Sequence, residues 1–73
     1  MNNLYIINEV LYDYTPGMAV ICAPCIGKAR DLFLEDFEWN MIEYDLAIER
    51  GKYTTIAGVD YPEGVVSYVY GGG

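Results

Sequence analysis

Near the N-terminus, apolar and polar positions divide the chain into two sides. Leu4, Ile6, Val10 and Tyr12 fall on one side of an extended segment, and Tyr5, Ile7, Glu9 and Leu11 fall on the other. Side chains of a strand point alternately to its two faces, so this β-branched and aromatic stretch predicts a strand over 4–12. Thr15-Pro16-Gly17 predicts a turn. Met18-Ala-Val-Ile-Cys-Ala23 predicts a second strand, so the chain opens as a hairpin.

The period then changes. Pro24 cannot donate to a ladder but suits the first turn of a helix. From there Ile26, Ala29, Phe33 and Phe37 recur at helical spacing, and Met41, Tyr44 and Ile48 continue the stripe. Gly51, just beyond Arg50, stands where a left-handed cap residue belongs. One unbroken helix over 25–50 would run about 39 Å. The strands are shorter, at about 20–30 Å by rise per residue. A break near Glu35 to Asn40 is therefore expected. Ile42, Tyr44, Leu46 and Ile48 also alternate with Glu43, Asp45, Ala47 and Glu49, which fits a strand. The Met, Glu, Leu, Ala and Arg content of the segment favours a helix instead.

Lys52–Val59 predicts a third strand, Asp60-Tyr61-Pro62-Glu63-Gly64 a turn, and Val65–Tyr70 a last strand, which together make a closing hairpin. Tyr68 and Tyr70 share one face of that strand, and Gly71-Gly72-Gly73 is expected to fray. The order is β-β-α-(α)-β-β. It predicts a single α+β domain over 1–73, with a small antiparallel sheet and one or two helices packed on one face.

The composition of 53% hydrophobic and 15% aromatic residues excludes intrinsic disorder. A chain of 73 residues cannot hide eight tyrosines, two phenylalanines and a tryptophan completely. Some aromatic surface is expected to stay exposed, and a homodimer would cover part of it. Eleven Asp and Glu stand against four Lys and Arg, a formal charge of −7. This argues against direct nucleic-acid binding and against an anionic membrane surface, and it favours a partner with a basic surface. No apolar run is long enough for a membrane span, and no signal peptide is visible, so a soluble, cytoplasmic protein is expected.

Candidate chemistry is sparse. Without a histidine, no Ser-His-Asp or Cys-His arrangement can form within the chain. Neither a Walker loop nor a dinucleotide fingerprint is present. No enzyme activity and no cofactor are expected. Cys22-Ala23-Pro24-Cys25, at a strand end and opening a helix, resembles the redox motif of thioredoxin-like proteins. A helix N-terminus lowers a thiol's pKa, so the motif admits a small thiol-redox protein with Cys22 attacking and Cys25 resolving. The chain lacks the further helices of that fold, and Pro62 lies in a turn. The plainer alternative makes Cys22 a small core hydrophobe and Pro24 a helix starter. Two thiols cannot complete a tetrahedral zinc site, so no metal is expected.

The carboxylates are patterned. On a helical wheel Asp31, Glu35, Glu38, Asp45 and Glu49 fall on one side, flanked by Asp36 and Glu43. Lys28 and Arg30 lie at the helix start, and Glu49 is placed to pair with Lys52. A row of carboxylates is either an ordinary solvated face or a partner-binding face that imitates a phosphate backbone. Trp39, amid these charges, is either core or an interface anchor.

Tyr5-Ile6-Ile7-Asn8-Glu9-Val10, followed by a hairpin, an alanine-bearing helix and a closing hairpin, resembles the layout of small phage-encoded proteins. Among these are anti-CRISPR proteins that inhibit type I effector complexes. Gly64-Val-Val-Ser-Tyr-Val-Tyr-Gly-Gly72 is similar to the tail of phage open reading frames. The resemblance implies a stoichiometric inhibitor of a CRISPR effector or another nucleic-acid-binding complex, acting in the host cytosol. Some proteins of this layout use basic residues on their targets. Here only Lys28, Arg30, Arg50 and Lys52 exist, so contact is expected from the acidic face: Asp31, Glu35, Glu38, Asp45 and Glu49 with Trp39. A structural homodimer without inhibitory action is the remaining alternative.

Overall fold

The computed structural model describes residues 1–72. Its elements are β1 (Asn2–Asp13), β2 (Thr15–Ala23), α1 (Ile26–Asp36), a single 3-10 turn (Glu38–Asn40), α2 (Met41–Glu49), β3 (Tyr53–Val59) and β4 (Gly64–Val69). The strands form one antiparallel sheet in the order β3-β1-β2-β4. Both helices pack on one face of it, as expected for an α+β fold.

The closing hairpin is not formed. β3 pairs with β1 and β4 pairs with β2, so the last two strands occupy opposite edges. The two strands of the first hairpin, which hold all the buried strand residues, sit in the middle, and each later strand adds to an open edge. The 60–63 loop must then span three strand spacings, about 14 Å. Five extended peptide steps reach at most about 18 Å, so the loop crosses nearly straight. It is held there by its own backbone: the Tyr61 carbonyl accepts from Asn2 Nδ2 at 2.8 Å and from Cys22 Sγ at 3.4 Å.

The first turn also differs from expectation. The chain reverses at Tyr14, which has a φ of 66°, and Thr15-Pro16-Gly17 is already strand. Pro16 has no ladder partner on either side, so its missing N–H is not needed. Simple alternation in β1 fails beyond Asn8. Two register shifts interrupt its pairing with β2, and Glu9 and Leu11 take positive φ of 60° and 53°. These bulges turn Val10 and Leu11 both into the core, although alternation had placed them on opposite faces.

The core lies between sheet and helices. Tyr5, Ile7, Ala19, Ile21 and Ala23 face Ala29, Phe33, Phe37, Tyr44 and Ala47. Phe33 sits at the centre of an aromatic cluster, with ring centroids 5.1 Å from Phe37 and 4.8 Å from Tyr44. Tyr68 and Tyr70 close the cluster edge-on against Phe37.

The helix breaks where length required. Phe37 leaves helical geometry at φ −133°, while its N–H still bonds the Phe33 carbonyl at 2.9 Å. Residues 41–49 are helical, which resolves the helix-or-strand ambiguity. The break resets the stripe: Tyr44 and Ala47 are buried, while Met41 is exposed. Gly51, at φ 70°, ends α2 in a Schellman arrangement, with Gly51 N–H on Ile48 O and Lys52 N–H on Ala47 O.

Gly71 and Gly72 do not fray. Gly71 is buried and donates to Leu11 O at 3.1 Å, while Thr15 Oγ1 donates to Gly72 O at 2.6 Å. A Cβ on Gly71 would run into the Thr15 carbonyl, and one on Gly17 into the Val69 carbonyl. The glycines let two backbones touch, a reason the sequence does not announce. Gly73 lies outside the described residues.

Candidate functional site: the acidic helical layer

The break between α1 and α2 decides what the carboxylates do. Asp31, Glu35, Glu38 and Glu49 are all exposed, as is the flanking Asp36. None of them is in an ion pair among the described residues. Asp45 departs from the expected stripe. Arg30 reaches across from α1 and grips it with two parallel bonds, Nε to Oδ1 at 2.8 Å and a second guanidinium nitrogen to Oδ2 at 3.0 Å. This hydrogen bond holds the Asp45 carboxyl below its ordinary range and pushes Arg30 upward. Asp45 is therefore a tie between helices, not a free charge. The physical reason is the break itself, which turns the chain so that a cation in the middle of α1 meets a carboxylate in the middle of α2.

Glu43 leaves the stripe too. Its Oε1 accepts from Asn40 Nδ2 at 2.7 Å and from the Leu11 N–H at 3.1 Å, so it serves the fold. The expected Glu49–Lys52 pair is not formed. Lys52 Nζ pairs instead with Glu9 Oε2 at 3.4 Å, because the β1 bulge turns Glu9 toward α2.

Trp39 is 92% exposed, which removes the core alternative. It stands on the 3-10 turn between the helices, where no neighbouring element covers it. Ile42 (72% exposed) and Leu46 (40% exposed) follow on α2, four residues apart on one helical face. The helical period read from the sequence takes Met41, Tyr44 and Ile48 into the core stripe and assigns no role to Ile42 and Leu46. The stripe Trp39-Ile42-Leu46 was missed because it becomes visible only once Tyr44 and Ala47 are known to point inward. The layer thus carries an apolar ridge with unpaired carboxylates beside it, notably Glu38 next to Trp39 and Glu35 one turn before.

Two depressions border the layer. One, of about 310 Å³, lies between the helices and is lined by Ile26, Tyr44, Ile48 and the Arg30–Asp45 pair. The other, of about 230 Å³, lies between α2 and the β1 bulge and includes Glu9, Tyr12, Leu46 and Lys52. The Tyr44 hydroxyl is buried without a hydrogen-bond partner, and burial pushes its pKa up to about 12.

The cysteines do not stand as the redox motif would place them. Both are free thiols. Cys22, expected to attack, is fully buried in β2 and donates to the Tyr61 carbonyl. Cys25 is exposed as the N-cap residue of α1. The strand period fixes this: Cys22, the next-to-last residue of β2, points to the face that the 60–63 loop crosses, and Cys25 already belongs to the helix start. Any incoming disulfide meets Cys25 first. Among the described residues, no helix is long and apolar enough to cross a membrane.

No protein-family model, curated protein or solved structure shows a match to the chain.

Proposed function

We propose that this protein is a non-enzymatic binding protein that docks by its helical layer on a basic surface of a nucleic-acid-handling complex and obstructs it. The carrying observation is Trp39, a large ring held almost wholly in solvent between two helices, with carboxylates nearby in the chain that have no ion-pair partner among the described residues. Exposing such a ring in water is unfavourable. Tryptophan set in a ridge with Ile42 and Leu46 has the composition of an interface anchor, and such anchors carry most of a binding energy. Asp31, Glu35, Asp36, Glu38 and Glu49 supply the surrounding field. A positive groove would be attracted to it from a distance, and basic residues at the rim would exclude unlike partners. An inhibitor of the anti-CRISPR kind, occupying a channel built for a phosphate backbone, is the specific form this reading takes.

The test is capture by the immobilised chain from a host lysate at low and at high salt. It is run beside Trp39→Ala and the double variant Glu35→Lys/Glu38→Lys. A partner retained at low salt, released at high salt, lost with either variant, and hindered in nucleic-acid binding by the wild-type chain supports the reading. Retention that neither variant weakens rejects it.

A further inference from the structure

The chain has four cations, and two of them border one depression. Lys28 and Arg30 lie on α1, where Arg30 is tied to Asp45. Arg50 and Lys52 both line the hollow of about 230 Å³ between α2 and the β1 bulge, together with Glu9 and Glu43. Its walls thus carry two positive and two negative side chains, and Tyr12, Leu46 and Ala47 supply an apolar remainder. In the hollow between the helices Arg30 and Asp45 satisfy each other. Here the charges are left partly unused. Arg50 has no ion pair among the described residues. Lys52 Nζ stands 3.4 Å from Glu9 Oε2, too long for a strong charge-assisted bond. Glu43 commits Oε1 to Asn40 and Leu11, which leaves its second oxygen. The backbone beside the hollow is strained as well. Glu9 and Leu11 hold φ of 60° and 53°, and unfavourable torsions of this kind collect at ligand sites.

We infer that this hollow binds a free α-amino acid with an apolar side chain. The Arg50 guanidinium, beside Lys52, takes the carboxylate through its paired donors. Glu9 and the free oxygen of Glu43 take the ammonium, which has donors only. The side chain lies against Leu46, Ala47 and the Tyr12 ring. Charge selects this class of ligand. A simple anion is repelled by Glu9, by Glu43 and by the −7 of the whole chain. A simple cation meets Arg50 and Lys52. A molecule that carries both charges close together, with a net charge of zero, finds a partner for each. Size selects the free amino acid. The hollow is smaller than the roughly 300–1,000 Å³ of sites for drug-sized ligands. A peptide terminus would bring only one of the two charges.

The inference uses neither Trp39 nor Glu35 and Glu38, so it stands or falls apart from docking by the helical layer. The experiment is a nitrogen–proton NMR titration of the full chain with L-leucine. N-acetyl-L-leucine, which lacks the ammonium, and L-leucinamide, which lacks the carboxylate, are titrated in parallel. They also stand for the two kinds of peptide terminus. Leucine should give saturable shifts at the amides of Glu9, Tyr12, Leu46, Arg50 and Lys52. The dissociation constant should be on the order of 1 mM, as suits so small a ligand, so the series runs to about 50 mM. Each single-charge analogue should bind at least about tenfold more weakly. The same loss is expected for leucine on Arg50→Gln and on Glu9→Gln, whose spectra also report whether the fold is kept. Absence of saturable shifts in the wild-type chain overturns the inference, as do shifts confined to Ile26 and Ile48 of the other hollow. So does leucine binding that neither substitution weakens. An analogue that binds as tightly as leucine makes the hollow a plain anion or cation site and rejects the amino acid.

Discussion

The backbone N–H of Leu11 donates to the carboxylate of Glu43 across 3.1 Å, joining a β1 bulge to the first turn of α2. Leu11 has no partner in the ladders and holds a φ of 53°, so its N–H would otherwise be buried unpaired. One acidic residue of the helical layer is thereby committed to the fold. Glu43→Ala is expected to cost about 1–3 kcal/mol, the penalty of an orphaned donor. Glu43→Gln keeps an acceptor and should cost less. Denaturant unfolding of the two variants checks the order.

Tyr44 gives the opposite expectation. Its ring is 1% exposed and stacks on Phe33, yet its hydroxyl bonds nothing. Tyr44→Phe should leave stability unchanged or raise it by about 1 kcal/mol, since an unsatisfied hydroxyl is removed without a cavity. The alkaline limb of the stability profile provides the second readout. The folded-state pKa, about 12, is raised above the ordinary value of 10.0, so the native state holds this proton more tightly than the unfolded chain. Below pH ~10 both states are protonated and the term is silent. Between ~10 and ~12 the unfolded chain ionises first, and stability falls by up to roughly 2–3 kcal/mol. Thermal melts from pH 9 to pH 12 should show a shallower decline in Tyr44→Phe.

The C-terminal glycines should prove structural. Gly71→Ala puts a methyl into the Thr15 carbonyl, and the hydrogen bond to Leu11 O must break or shift. A loss of about 2 kcal/mol or more is expected from such a backbone clash. Gly72→Ala meets open space and should be nearly silent. The melting temperatures of the two neighbours decide it.

Thiol accessibility separates the cysteines. In the native protein Cys25 should react rapidly with an aromatic disulfide reagent, whereas Cys22 should react only on the timescale of opening. Serine at both positions should leave partner capture intact. Fast reaction at both thiols, or loss of capture in the double serine variant, would instead favour thiol chemistry.

What the sequence disclosed was local. Strand alternation in β1 as far as Asn8, the Gly51 cap and the length limit that splits the helix near Phe37 follow from period and propensity, and each appears in the structure. What it hid was non-local or depended on single backbone torsions. Nothing in Asp60–Glu63 says that the loop will stretch across a sheet and not turn a hairpin. Glu9 and Leu11 are poor candidates for positive φ, so the bulge that buries Val10 beside Leu11 could not be anticipated. The acidic stripe was only partly legible, because a wheel drawn through a broken helix places Asp45 beside Glu49 when the chain turns it to Arg30. Trp39 had two readings, and only the absence of a covering element chose between them.

The salt dependence of partner affinity bears most directly on the helical layer. Once the captured partner is purified, its dissociation constant is measured across an ionic-strength series for wild type, Glu35→Lys/Glu38→Lys and Trp39→Ala. Wild-type affinity should fall steeply with salt. The double reversal should flatten that slope, and Trp39→Ala should keep the slope while losing about 2 kcal/mol or more at every salt concentration. A wild-type affinity indifferent to salt, or the same slope in the charge-reversed chain, would contradict the account.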